Sequence, residues 1–258
     1  MPELAVDNPL DSNVLLYDGE ELLGAKQNRI LNVSVLVAAG SKTVIPVSCV
    51  EEGRWSARSA FFSSARHAAY PELRRRKAEQ LSAEPMARGA AQSAVWEEVR
   101  SKSARLHASS PTGAQADIFK TREKDLDLLR KRFALEPGHC GAVFAVGDRI
   151  CLDYVSQPEA FARLYPKLLN GYLLDAIEWL DHEPAGYELF AAHYLATEAA
   201  TRSRRPSAGL GEDVRFRGHG VVGSGLEFEG EIVQCCSFSS ETAPAATTTI
   251  ARPSQRHG

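Results

Sequence analysis

Over the first fifty positions apolar and polar residues alternate with the two-residue period of β-strands. VLLY at 14–17 is one such run. Residues 30–37 put Leu31, Val33, Val35 and Val37 on one face and Asn32 and Ser34 on the other. A glycine-containing turn, AAGSK, then leads into TVIPVSCV at 43–50. Runs 30–37 and 43–50 therefore predict a hairpin with one buried face. Residues 54–90 break the pattern. Rich in Ser, Ala and Arg, they read as loop and short helix, with the basic run Arg74 to Lys77 as a solvated helix end or a contact for a polyanion.

The period then lengthens. Val95, Trp96, Val99 and Leu106 fall at helical spacing, as do Leu126, Leu129 and Phe133. Ser110-Pro111 predicts a cap and first-turn proline for a short helix holding Gln115 and Asp117. Alternation returns in GAVFAV and RICLDYV around Gly147-Asp148, a second hairpin. Ser156-Gln157-Pro158-Glu159 has capping-box spacing, and Pro166 is expected to break or kink the helix it starts. A further helix carries Tyr187, Phe190 and Tyr194 and ends before RSRRP at 202–206. The third hairpin joins 221–228 to 232–238 around Glu229-Gly230. Residues 239–258 are aperiodic and Thr/Ala/Pro-rich, which predicts a disordered tail. Three hairpins between helical blocks predict an α+β fold, antiparallel hairpins forming a mixed or antiparallel sheet packed with several helices, as a single domain over 1–238.

Composition narrows the function classes. A net charge of −3 lacks the basic excess of a dedicated nucleic-acid binder, so nucleic acid is an unlikely partner. No apolar run approaches the roughly 20 residues that span a bilayer, and no signal-peptide pattern opens the chain, so a cytoplasmic location is expected. The five cysteines have no CxxC spacing and include an adjacent pair, which fits reduced thiols. Cys49, inside a strand, reads as a small buried hydrophobe rather than a nucleophile. The scattered histidines form no metal-ligand cluster, and GxGxxG, P-loop and GxSxG motifs are absent.

The candidate chemistry lies in two charged stretches between apolar runs. DGEELLGAKQNR carries Glu20, Glu21, Lys26, Gln27, Asn28 and Arg29, and EEGRW carries Glu52, Arg54 and Trp55. If 30–37 and 43–50 pair, both stretches lie at the same open end of the hairpin. Arginine and lysine there suit phosphate oxygens, Trp55 suits stacking, and the carboxylates suit acid and base roles, ribose hydroxyls or a divalent cation such as magnesium. A structural ion-pair network that fixes the hairpin end is the alternative reading. Lys167, placed after Pro166 in a helix first turn, wants an anionic partner, either a ligand phosphate or a nearby carboxylate.

DGEELLGAKQNRILNVSVLV, IPVSCVEEGRW, LRRRKAE, VWEEV, SPTGAQAD, FARLYPKLLNGYLLDA and GLGEDVRF together resemble the bacterial ARG and Rhodanese-Phosphatase-superfamily-associated protein domain family, over about Pro2 to Phe238. The resemblance implies a link to NAD or ADP-ribose metabolism and to ADP-ribosylglycohydrolase or rhodanese-phosphatase pathway proteins as partners. It marks Glu20, Glu21, Lys26, Gln27, Asn28, Arg29, Glu52, Arg54 and Trp55 as the principal polar motifs. Family members read GG where this chain has Gly24-Ala25, so a backbone turn that glycine would relax is altered. They also carry more sequence before the segment matching Pro2, which implies an exposed edge strand here. The expectation is a protein that binds or processes an ADP-ribose- or NAD-like phosphorylated nucleotide, a hydrolase being one form of it. Its alternative is a non-catalytic nucleotide-sensing or partner-docking module.

Overall fold

The computed structural model describes residues 3–57, 59–83, 88–180, 186–218 and 220–240. Its N-terminal part holds β1 (Glu3–Asn8), β2 (Val14–Leu16), β3 (Glu20–Gly24), β4 (Arg29–Leu31), β5 (Val35–Val37), β6 (Ser41–Cys49) and β7 (Phe62–Ala68). Five of these strands form a sheet in the order β1-β6-β4-β3-β7, and β2 pairs with β5 as a separate ribbon. Helices α1 (Pro71–Ala83), α2 (Arg88–Arg105), α3 (Gln115–Thr121) and α4 (Glu123–Arg130) follow. The rest comprises β8 (Gly141–Val146), β9 (Arg149–Val155), α5 (Pro158–Glu178), α6 (Tyr187–Ala199), β10 (Thr201–Pro206), β11 (Glu212–Gly218), β12 (Val221–Phe228) and β13 (Glu231–Ser239). Its six strands are ordered β10-β11-β12-β13-β9-β8. Every strand pairing is antiparallel, so the fold is α+β.

The expected hairpin over 30–50 exists only at its open end. Ile30 pairs with Ser48 and Leu31 with Val47, but after Asn32 the chain peels away and Val35–Val37 pairs with β2 instead. β1 pairs with the remaining length of β6, from Glu3 opposite Pro46 to Asn8 opposite Ser41. Ser34 anchors the departure, its hydroxyl accepting the Asp18 N–H at 2.9 Å. Leu31, Val33, Val35 and Val37 nevertheless share one buried cluster with Ile45 and Val47, because both paths keep the same face inward.

Five strands, β1, β3, β7, β10 and β11, lie where no strand was expected. β3 runs through the charged stretch itself, between β4 and β7. β7 and β10 are edge strands with little apolar side chain to bury, and β10 is exposed along nearly its whole length. The Ser110-Pro111 segment precedes α3 rather than starting it: Ala114 is the N-cap, and Ser110 accepts its N–H at 2.8 Å. At α5 the N-cap is Gln157 with no side-chain cap bond, and the helix continues through Pro166, so no break occurs. β13 extends to Ser239, and the Ser240 N–H donates to Gly220 O at 2.6 Å, so the first two residues of the expected tail belong to the sheet and its edge. Residues 241–258 lie outside the described residues.

Arg74, Arg75 and Lys77 of the basic run are buried and Arg76 is half-buried, against both readings offered for the run. Arg74 donates to Asp153 of β9 at 2.9 and 2.6 Å, and the Tyr17 and Tyr172 hydroxyls also donate to that carboxylate. Lys77 donates to Asp18 at 2.6 Å and to Leu31 O at 2.8 Å. Arg75 and Arg76 pair with Glu72, and Arg76 also faces Glu98 at 3.0 Å. These contacts tie α1 to both sheets. Around them one apolar cluster draws on residues from Tyr17 to Phe238. All five cysteines are free thiols, and Cys49 is buried.

Candidate functional site

The β3–β4 turn is where the two charged stretches meet. Ala25 occupies it with φ +45°, a left-handed backbone that glycine adopts without a Cβ penalty. Arg54 reaches in from beyond β6, donating from Nη1 to Ala25 O at 2.6 Å and from Nη2 to Asn28 Oδ1 at 3.2 Å. Its Nε and Nη2 hold both oxygens of Glu51, at 2.7 and 2.6 Å. Glu51 also accepts the Asn28 N–H at 3.1 Å and the Thr112 hydroxyl at 2.9 Å. Burial by itself would raise the Glu51 carboxyl, but the bonds from Arg54, Asn28 and Thr112 outweigh it and hold the group below its ordinary value. Every nitrogen of Arg54 is thus engaged within the protein, and Asn28 with it.

Glu20 and Glu21, adjacent on a strand, go to different partners. Glu20 accepts Lys167 Nζ and the Ser64 hydroxyl, each at 2.5 Å. It is therefore the anionic partner Lys167 wants, although Lys167 sits mid-helix rather than in a first turn. Glu21 is fully buried, with Oε2 bonded to His67 Nε2 at 2.7 Å and to the Gln115 amide. His67 in turn stacks on Phe119 with ring centroids 3.7 Å apart. Glu52 turns outward toward Arg100 at 3.7 Å, and Lys26 is exposed in the β3–β4 turn. The three glutamates do not converge, and among the described residues no group of three or more His, Cys, Asp or Glu is placed to hold a metal ion.

Gln27, Arg29 and Trp55 do come together, in a cleft of about 660 Å³. Arg29 pairs across β4 and β6 with Cys49 and donates from Nη1 to its Sγ. Gln27 Oε1 accepts from the same sulfur at 3.2 Å. Gln92 of α2 clamps the Cys49 backbone, accepting its N–H at 2.8 Å and donating to its carbonyl at 2.9 Å. Arg29 is 9% exposed, and among the described residues it has no carboxylate partner. Burial lowers its pKa. Its Nε–H has no acceptor, and neither does the indole N–H of Trp96 on the cleft wall. Trp55 stands at 68% exposed on the same cleft, and Arg205 with Asp213 also lines it.

Gln92, Trp96, Arg205 and Asp213 were not legible as site residues. Trp96 satisfies a helical apolar pattern, and Arg205 belongs to a basic cluster that the sequence places far away. A large indole beside Glu97 and Glu98 was the only local signal.

A family model, ARPP-1, described as ARG and Rhodanese-Phosphatase-superfamily-associated Protein domain, matches residues 1–238. The chain belongs to this family. The family name points to association with ADP-ribosylglycohydrolase or rhodanese-phosphatase proteins. No curated protein and no solved structure matches the chain. Among the described residues no helix is long and apolar enough to cross a membrane.

Proposed function

We propose that the protein binds a phosphorylated nucleotide of the ADP-ribose or NAD type in the Arg29 cleft. The observation that carries this reading is the buried Arg29 guanidinium, which lines a cleft of about 660 Å³ and has neither a carboxylate partner nor an acceptor for its Nε–H among the described residues. Burying such a donor without an acceptor costs about 1–3 kcal/mol, and more for a charged group, so the site favours a ligand that brings anionic oxygens. The Trp96 indole N–H adds a second donor without a partner, and exposed Trp55 offers a face on which a base can stack. The volume falls within the range of small-molecule sites. The choice of ADP-ribose as the ligand type follows the association that the family name records.

Binding rather than turnover is the form the geometry favours. Glu20, Glu21 and Glu52, the residues expected to act as acid, base or metal ligands, do not line the cleft and are engaged elsewhere. Arg54 leaves the phosphate-holding role for the same reason and Lys26 because it is exposed in the β3–β4 turn away from the cleft lining, and Arg29 with Gln27 takes it.

The test is thermal unfolding of the full chain with ADP-ribose, NAD, AMP, ribose 5-phosphate and inorganic phosphate, each with and without magnesium. ADP-ribose or NAD at saturation is expected to raise Tm by about 5 °C or more. Arg29→Met and Trp55→Ala should each remove that rise. A folded protein that shows no rise with any nucleotide would overturn the reading.

A further inference from the structure

A second cavity, of about 450 Å³, lies between the C-terminal end of α1 and the outer two strands of the six-stranded sheet. The register explains its chemistry. Thr201 pairs with Arg217, Ser203 with Arg215 and Arg205 with Asp213, so these six side chains share one face of the β10–β11 ribbon. That face carries three arginines and a single carboxylate. Asp213 accepts Arg205 Nε at 2.7 Å and Arg215 Nη2 at 3.0 Å, which leaves an excess of positive charge. Arg217 is exposed and has no carboxylate partner among the described residues. Arg204 also lines the cavity but is paired with Glu227 at 3.0 Å.

Arg215 points to a ligand. It is 5% exposed, and one nitrogen suffices to hold Asp213, while its Nε and Nη1 have no acceptor. The Ser82 hydroxyl, contributed to the cavity by α1, is also buried without a partner. Two guanidinium nitrogens and a hydroxyl left without partners among the described residues, on two residues of one cavity wall, match the several acceptor oxygens of a phosphoryl group, and the Thr201 and Ser203 hydroxyls add donors at that wall.

We propose that this cavity is a phosphoryl-binding site, taking a phosphate ion or the terminal phosphate of a monoester through Arg215 and Arg217. Arg205 and Leu81 line both this cavity and the Arg29 cleft, so the two adjoin, but the phosphoryl site does not depend on the nucleotide reading.

Isothermal titration of the full chain at low ionic strength with inorganic phosphate, and separately with ribose 5-phosphate, tests it. Phosphate should bind, and Arg217→Glu and Arg215→Gln should each weaken it by about tenfold or more. Arg29→Met should leave phosphate binding in place, even where it abolishes the nucleotide-induced rise in Tm. Tighter binding of ribose 5-phosphate than of phosphate would identify a monoester as the occupant, and the reverse would identify the free ion. Because Arg217 is exposed, Arg217→Glu decides the matter if Arg215→Gln does not fold. Absence of binding by both probes, or binding unchanged in Arg217→Glu, would overturn the proposal.

Discussion

Arg74 and Arg29 are both buried guanidinium groups whose Nε–H lacks a hydrogen-bond acceptor among the described residues, yet the charges around them differ. Arg74 meets both oxygens of Asp153 at 2.9 and 2.6 Å, beside two tyrosine hydroxyls that bond the same carboxylate. Arg29 meets a thiol and, among the described residues, no carboxylate. Arg54 resembles Arg74, and Arg215 resembles Arg29 in part. A buried charge whose partners come from the chain itself holds the fold. One that the chain leaves incompletely paired in a cleft is where a ligand can supply what is missing.

The largest effect should come from breaking the charge-compensated side. Arg74→Met leaves Asp153 buried and uncompensated, and should cost about 3–5 kcal/mol in a denaturant titration. A loss below about 1 kcal/mol would erase the distinction between the two arginines. The same side should also be acid-sensitive. Burial opposes ionisation of Glu72, but Arg75, Arg76 and Arg149 overcome it and bring the carboxyl down to about 2 from an ordinary 4.5. Its contribution is therefore complete above pH 4.5 and lost as pH falls toward 2. Glu72→Gln should flatten that part of the stability profile by about 2 kcal/mol, allowing for solvent screening.

On the uncompensated side the expected stability changes are smaller and the binding changes larger. Arg29→Met removes a desolvated charge that has no counter-ion, so stability should hold within about 1 kcal/mol while the nucleotide response disappears. If unfolding shows a loss comparable to that of Arg74→Met, Arg29 belongs with the structural group. Ala25→Gly is the mildest test. It relaxes the positive φ of the turn that Arg54 clamps, and should stabilise the protein by about 0.5–1 kcal/mol. Equal or lower stability would show that the turn is set by Arg54 and Asn28 rather than by local backbone preference.

The contrast also explains what could be read in advance. The charged stretches at 18–29 and 51–55 stood out because apolar runs flank them, and their convergence followed from the antiparallel pairing of 29–31 with 47–49. The division of labour inside that convergence did not follow. Glu51 and Arg54 are three residues apart and look no different in sequence from Glu52 and Arg29. Which carboxylate faces which cation depends on side-chain direction at the end of a strand, and that is set by packing. The run Arg74 to Lys77 misled for a related reason: its partners, Asp18 and Asp153, lie far off along the chain, so a buried network looks locally like a solvated helix end.

The sequence by itself determined the α+β class, the central and C-terminal hairpins and the apolar face of residues 31–37, because these follow from local period and turn chemistry. Tertiary structure alone decided that 35–37 leaves β6 for β2, that five segments not expected as strands, β1, β3, β7, β10 and β11, join the sheets, and that Arg29 and Arg215 are left without full complements of partners. Edge pairing and charge compensation are non-local: a polar segment becomes a strand when a neighbouring backbone offers hydrogen bonds, and a buried cation is completed or left incomplete by groups far away in sequence.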